Sequence, residues 1–284
     1  MATIKSALQR AQIKLASVSE SSALDAELLL AFCLNKNRSY LFTWPENILN
    51  EDQASCFEQL IKERLNDYPI AYLLGTKAFW TLDLIVTPDV LIPRPETELL
   101  VEIALKKIRN LHSPKILDLG TGSGAIALAL ASERKDANIT ACDFSKKAVE
   151  VAKKNAKNNN LEKNVTFIES NWFSNINSHD FDLIVSNPPY IAPNDPHLIQ
   201  TIRHEPLQAL VAENAGMSDI QNIIKNAKQY LKKGGWLMIE HGYDQAQKTL
   251  KLLTDNDLTE AKNYLDLAKN PRLTLAKKSL IGLD

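Results

Sequence analysis

The chain has 284 residues, 45% hydrophobic and 24% charged, with 34 acidic against 33 basic side chains and a net charge of −1. That composition allows a sizeable core in one large or two smaller domains, and it excludes the global positive field that draws a protein to nucleic acid. No apolar run reaches the roughly 18 residues that a membrane span needs, and residues 1–15 lack a secretory leader's continuous apolar stretch, so a cytoplasmic protein is expected. Cys33, Cys56 and Cys142 form no CxxC pair and sit in apolar-periodic stretches, which reads as buried, reduced thiols.

The first 75 residues read as helices. Thr3 is placed to cap a segment bearing Ile4, Leu8, Ile13 and Leu15. Ser21 or Ser22 precedes Leu24, Leu28, Leu29, Leu30 and Phe32, and Asn50 precedes Phe57, Leu60, Ile61 and Leu65. From Ala78 to Val90 the texture changes: Phe79, Trp80, Leu82, Leu84 and Val86 are interleaved with Thr81, Asp83 and Thr87, and Pro88, Pro93 and Pro95 break the pattern. Residues 76–95 are therefore expected to be a hairpin connector between a helical domain (1–75) and a larger domain (96–284).

Beyond Glu96 strands and helices alternate. A helix is expected over 96–108, a buried strand over 115–119, a helix over 123–133, a strand over 139–142 and a helix over 145–158. Short strands come next at 165–168 and 181–185, then a helix over 220–231 and a strand over 236–240. This βα rhythm predicts an α/β fold with a parallel, doubly wound, Rossmann-like sheet. The lysine- and asparagine-rich stretch 153–163 reads as a solvated helix end and loop.

Lys115–Leu119 runs into Gly120-Thr121-Gly122-Ser123-Gly124, a buried strand, a glycine turn and a helix start. Glycines let a ligand lie on bare backbone, and the helix N-terminus behind them favours an anionic group. The spacing is GxGxG and not the dinucleotide GxGxxG. Asp118 at the strand end can face a cationic amino group, and Asp143, 19 residues after Gly124, can accept from two ribose hydroxyls. S-adenosylmethionine has the ribose, amino group and carboxylate that this set fits; NAD and an unliganded turn are the alternatives. Trp172 either packs on adenine or belongs to the core.

The strand 181–185 ends in Ser186-Asn187-Pro188-Pro189-Tyr190, where ligands of such sheets bind. A conjugated NH2 is a poor nucleophile because its lone pair is delocalised. Hydrogen-bond acceptors that hold both N–H bonds turn that lone pair toward an electrophile. Asn187 offers a side-chain oxygen, and Pro188 a carbonyl without a competing N–H. The prolines stiffen the loop, and Tyr190 gives an aromatic face for a planar group. The alternative for Asn-Pro-Pro is a rigid structural turn.

Asp118–Gly124 with Asn187–Tyr190 resembles amino-methyltransferases of adenine N6 and glutamine N5. Residues 69–75 (PIAYLLG), Phe79-Trp80, 91–98 (LIPRPETE), 205–210 (EPLQAL) and Glu240-His241-Gly242 resemble the HemK/PrmC family of peptide chain release factor glutamine N5-methyltransferases over nearly the whole chain. The resemblance implies a helical N-terminal domain, a β-hairpin connector and a seven-stranded methyltransferase sheet with one antiparallel strand near the C-terminus. It implies S-adenosylmethionine as cofactor and, as partner and substrate, the Gly-Gly-Gln glutamine of class-1 release factors. Gly120, Thr121, Gly122, Ser123, Gly124, Asp143, Trp172 and Asn187 would contact the cofactor, and Asn187, Pro188, Pro189 and Tyr190 would hold the glutamine amide. Asn171 stands where members often carry an acidic residue, which bears on the adenine side of the site. The alternative is a DNA or RNA adenine N6-methyltransferase, which the near-neutral charge and the IPRPETE segment disfavour. No His, Cys or acidic cluster has metal-ligand spacing, so no metal is expected. His112, His179, His197 and His204 read as surface residues. His241 ends a strand near the site and is expected at the pocket, though not as a base.

Overall fold

The computed structural model describes residues 2–195 and 203–280. It divides into two compact units, Met1–Thr76 and Lys77–Asp284.

The first unit holds helices α1 (Ile4–Leu15), α2 (Ser22–Leu34), α3 (Arg38–Thr43), α4 (Glu51–Leu65) and α5 (Ile70–Leu74). Thr3 and Asn50 each form a reciprocal capping box, with Ser6 and Gln53, so two helix starts are fixed by local sequence. Ile4, Ala7, Ala11 and Leu15 make one stripe of α1 and join Leu29, Leu30, Phe57 and Ile61 in a single core. Inside it, the buried Asp25 accepts from Arg64 Nε at 2.8 Å and from Ser21 Oγ at 3.2 Å. The expectation of buried thiols holds for Cys142 and fails for Cys33 and Cys56, which are partly exposed. Those two face each other across α2 and α4 with their sulfurs 2.7 Å apart, an adjacency that the sequence separation hides.

In the second unit, β1 (Thr76–Phe79) and β2 (Leu82–Ile85) form a separate two-stranded sheet. Trp80, inside the expected hairpin, sits at its turn with φ +57°. Its backbone N–H donates to Glu98 and its indole N–H to Glu133, both at 2.8 Å. A 3-10 turn over Pro95–Thr97 then leads into α6 (Glu98–Ile108), two residues later than the sequence suggests, because the prolines fix the approach.

The main sheet comprises β3 (Lys115–Leu119), β4 (Asn138–Asp143), β5 (Val165–Glu169), β6 (Phe181–Ser186), β7 (Leu231–Glu240), β8 (Leu258–Leu265) and β9 (Pro271–Lys278), in the order β5-β4-β3-β6-β7-β9-β8. The first five strands in that order pair in parallel, and β9 is antiparallel to both its neighbours. The helices α7 (Ala125–Glu133), α8 (Lys146–Asn158), α9 (Ser218–Tyr230) and α10 (Ala246–Asp255) complete the layers. Alternate strand residues divide between two cores. Ile116, Leu183, Val185 and Met238 pack with Leu100, Ile103 and Leu128, while Leu117, Leu119, Ile184, Leu237 and Ile239 pack with Ile220, Ile224 and Leu253. Parity places Asp118 and Glu240 on the α6/α7 side, at the carboxyl ends of β3 and β7. The strand order reverses between β3 and β6, the switch point where such sheets bind ligands.

Asn155 departs from the expected solvation of 153–163. It is fully buried. Its amide takes the Ile85 N–H at 2.6 Å and donates to the Ile85 and Ser123 carbonyls at 2.9 Å, fastening the hairpin to the glycine loop.

Candidate active site

A cavity of about 280 Å³ opens at the carboxyl ends of these strands. Of the residues singled out in the sequence, Gly120, Gly122, Asp143, Trp172, Asn187 and Pro189 line it. Thr121, Ser123, Gly124, Pro188 and Tyr190 do not; they hold the walls.

The glycine loop is built by its neighbours. The N–H groups of Gly120 and Thr121 both donate to the Cys142 carbonyl at 2.9 Å, tying the loop to the end of β4. Gly122 has φ +56°, and a Cβ there would meet nothing within 4 Å, so the bare backbone faces open cavity. Gly124 serves packing, since a Cβ would press on Leu128 at 3.1 Å and Ala152 at 3.3 Å.

Asp143 is positioned by two backbone donors. Its Oδ2 accepts from Gly122 N and its Oδ1 from Ser145 N, at 2.9 and 2.8 Å. Each oxygen keeps a further lone pair. Burial raises its pKa above the ordinary carboxylate value. Asp118 is not on the cavity wall, against the reading that it faces an incoming amino group. It is wholly buried beneath the loop, taking the Thr121 hydroxyl at 2.7 Å on Oδ2, while Oδ1 has no partner among the described residues. Burial pushes its pKa up to about 7. Trp172 adopts φ +50° and lies against Gly120, with Asp219, which also lines the cavity, near its side chain. Asn171 lines the cavity beside it.

Asn187 is held from behind. Its Nδ2 donates to Thr97 Oγ1 at 3.2 Å, and the carboxyl of Glu240 lies near both side chains, which hold its pKa down against the effect of burial. With the amide nitrogen drawn inward, the side-chain oxygen is the group left for the cavity. Glu240 is fully buried, has one oxygen without a partner among the described residues, and is pushed up to about 7 by burial. Farther along the loop, the Tyr190 carbonyl accepts from Gln245 Nε2 at 2.9 Å, and Gln245 Oε1 takes the Gly242 N–H at 2.9 Å. Gly216 packs so closely that a Cβ would stand 2.1 Å from the Tyr190 oxygen. Residues 214, 215 and 216 all have positive φ, a run of left-handed backbone pressed against the proline loop. The third wall is tied by Glu205, whose carboxyl takes the Ile92 N–H at 3.0 Å and pairs with Arg94.

Thr97, Glu205, Glu240 and Gln245 thus carry the site, and none of them stands out in the sequence as a functional residue. The only signal for three of them lies in the segments 91–98, 205–210 and 240–242. His241 is buried away from the cavity, between the Gly242 carbonyl (2.8 Å) and Thr274 Oγ1 (2.6 Å), and burial lowers its pKa. His112 and His179 are exposed, His204 is half-buried, and His197 lies outside the described residues. Among the described residues no three His, Cys, Asp or Glu side chains group as metal ligands, and no helix is long and apolar enough to cross a membrane.

A family model described as a methyltransferase small domain matches residues 95–263, and one described as the PrmC N-terminal domain matches residues 6–75. The sheet order and the cavity at its switch point accordingly belong to a methyltransferase. A solved methyltransferase from Pyrococcus furiosus shares this fold, with a TM-score of 0.54 and 19% identity over 77% of this chain and 97% of that one. The particular family is given by closer relatives. The chain is 48% identical to the release factor glutamine methyltransferase of Shewanella oneidensis over 99% of its own length and 98% of that protein. It is 47% identical to that of Coxiella burnetii over 98% and 100%. The chain belongs to the release factor glutamine methyltransferase family.

Proposed function

We propose that this protein transfers the methyl group of S-adenosylmethionine to the side-chain amide nitrogen of the glutamine in the Gly-Gly-Gln motif of class-1 release factors, in the cytoplasm. The observation that carries the chemistry is the orientation of Asn187. Its nitrogen donates inward to Thr97, with the Glu240 carboxyl nearby, and Asn187 lines the cavity.

The cavity fits the cofactor. Gly122 offers open space where any other residue would put a side chain, and Asp143 keeps spare lone pairs at the wall. Gly120 and Gly122 would lie along the cofactor, Asp143 would accept from its ribose, and Trp172 with Asn171 would bound its adenine. The bound cofactor supplies a sulfonium that is already an activated methyl donor. The chain supplies geometry. Asn187 Oδ1 and the Pro188 carbonyl would accept the two N–H bonds of the glutamine amide and turn its lone pair toward the methyl group. Pro188 and Pro189 limit the loop's freedom, and Gln245 and Gly216 fix it at Tyr190.

In this reading residues 1–75 recognise the intact release factor, 76–95 connect, and 96–284 bind the cofactor and carry the reaction. Incubation with labelled S-adenosylmethionine and either a class-1 release factor or duplex DNA tests it. Label is expected in the release factor and is lost when the motif glutamine is replaced; label in DNA alone overturns the substrate.

A further inference from the structure

An asparagine amide has an accepting end and a donating end of nearly the same size, so the scaffold has to decide which one meets the substrate. If Asn187 turned over, two N–H donors would face the target NH2, and no amide could be held. The structure contains a device that makes this choice. Ser186, which precedes Asn187, ends β6, and its register partner in β7 is Ile239, next to Glu240. The Glu240 carboxyl therefore comes to the back of Asn187 by sheet register, although the two are far apart in sequence.

Thr97 has a single hydroxyl proton. Thr97 Oγ1 accepts from Asn187 Nδ2 at 3.2 Å, so its own proton is directed elsewhere, and the Glu240 carboxyl is the acidic group that interacts with both side chains. The Asn187 amide nitrogen is then drawn inward, bonded to Thr97 and with the Glu240 carboxyl as its second inward neighbour. With Glu240 ionised, a flipped Asn187 would set its oxygen against a carboxylate oxygen and a hydroxyl lone pair, with no donor to meet it. Arg272, Glu96 and Tyr190 are the charged and titratable groups that act on Glu240 from the neighbouring elements. None of the three stands as close to Asn187 in the sheet register, where the inward hydrogen bond goes to Thr97 Oγ1 and Glu240 follows Ile239, the partner of Ser186. Glu240 is also a poor choice for stability. It is fully buried with one oxygen unpartnered among the described residues, an arrangement that apolar packing would improve on.

We infer that Glu240, acting with Thr97, is a positioning residue for amide methylation: it sets the orientation of the Asn187 amide so that the oxygen faces the substrate. The inference rests on the reading of Asn187 as the group that holds the target amide.

A double-mutant cycle separates the two. Glu240→Leu is expected to lower kcat by roughly tenfold or more, the equivalent of one lost hydrogen bond to a charged group, with cofactor affinity and the KM for release factor within about twofold. Glu240→Gln, which keeps a carbonyl acceptor, should recover most of that loss. In an Asn187→Ala background, Glu240→Leu should have almost no further effect, since nothing is left to orient. An equal loss in both backgrounds would overturn the inference and leave Glu240 a structural residue. If Asn187→Ala alone keeps normal turnover, the reading of Asn187 fails whatever Glu240 does. Thr97→Val against Thr97→Ser provides the same comparison from the second acceptor, should Glu240→Leu not fold: the valine is expected to lose turnover and the serine to keep it, and equal turnover in the two overturns the inference.

Discussion

The two units treat a buried carboxylate in opposite ways. In the helical unit, Asp25 has an acceptor role for each oxygen, with Arg64 on one and Ser21 on the other. In the sheet unit, Asp118 and Glu240 are buried at the carboxyl ends of β3 and β7, and each keeps one oxygen without a partner among the described residues. Backbone strain divides similarly. The left-handed residues of the helical unit are Asn35, Asp67 and Gly75, types that tolerate such turns, whereas the sheet unit holds Trp172 and Ala215 in that region beside the cavity and the proline loop. Where burial serves only to hold helices together, polar groups are compensated. Beneath and behind the site, compensation is incomplete, and the fold carries the cost, on the order of 1–3 kcal/mol for each such residue.

The sharpest way to break this contrast is at Asn187. Asn187→Ala removes the acceptor that faces the cavity and should lower single-turnover methylation on the order of a hundredfold or more, while cofactor affinity falls far less. Methylation at near the parental rate would return Asn187–Tyr190 to the status of a structural turn. Removing residues 1–76 addresses the other side. The remaining chain, if folded, should still bind cofactor. It should lose methylation of an intact release factor on the order of tenfold more than methylation of a short Gly-Gly-Gln peptide, a margin set by about 1.4 kcal/mol of lost recognition. Equal losses on both substrates would show that the helical unit has no part in recognition.

How far the sequence reveals each region depends on the range of the interactions involved. Thr3 and Asn50 announce helix starts because a capping box spans three residues. β3 is legible because a strand buried on both faces has to be a continuous apolar run. β8, β9 and α10 carry mixed polar patterns, and α3 and α5 are too short for a helical period to register; the antiparallel strand near the C-terminus is expected only from family resemblance. At the site, the glycine loop and the proline loop are local motifs, and both can be located. Their supports cannot. Thr97 reaches Asn187 across 90 residues, Gln245 reaches Tyr190 across 55, and Glu205 reaches Ile92 across 113. Such pairs exist only once the strand order is known. Asp118 is expected at the right strand end but on the wrong side of the loop, because its parity with Ile116 turns it toward α6 and α7 and away from the cavity.

Asp143 provides a smaller effect that tests the cavity alone. Asp143→Ala removes the acceptor proposed for the ribose and the two backbone contacts that shape Gly122 and Ser145. Cofactor affinity should fall on the order of tenfold, the equivalent of ~1.5–3 kcal/mol for a hydrogen bond to a charged group. Calorimetry with S-adenosylmethionine measures it. Unchanged affinity would mean that Asp143 serves only the loop. A preference of the parental protein for NAD would remove the cofactor assignment itself.

The smallest expected effect is on stability, and its sign is set by burial. Asp118 and Glu240 are both raised to about 7 in the folded protein, well above their ordinary values of 3.8 and 4.5. The folded state therefore binds protons that the unfolded state has already released. Their contribution is complete below pH 4 and is lost as pH rises through 7. His241 works the other way, since burial lowers its pKa, so its contribution grows as pH rises toward its unfolded value near 6.5. Between pH 6.5 and 8.0 the histidine has little left to change, and the two acids dominate. Over that window the sheet unit should lose on the order of 2 kcal/mol, a few degrees in Tm. Amide exchange resolves the units: protection in β3, β6 and β7 should fall with pH once the intrinsic exchange rate is divided out, while α2, whose Asp25 is ion-paired, serves as the internal control. Asp118→Asn and Glu240→Gln should each flatten part of the slope. A slope unchanged in both variants would mean that these two carboxyls are not the groups that titrate, and that the open valences at the strand ends cost the fold nothing measurable.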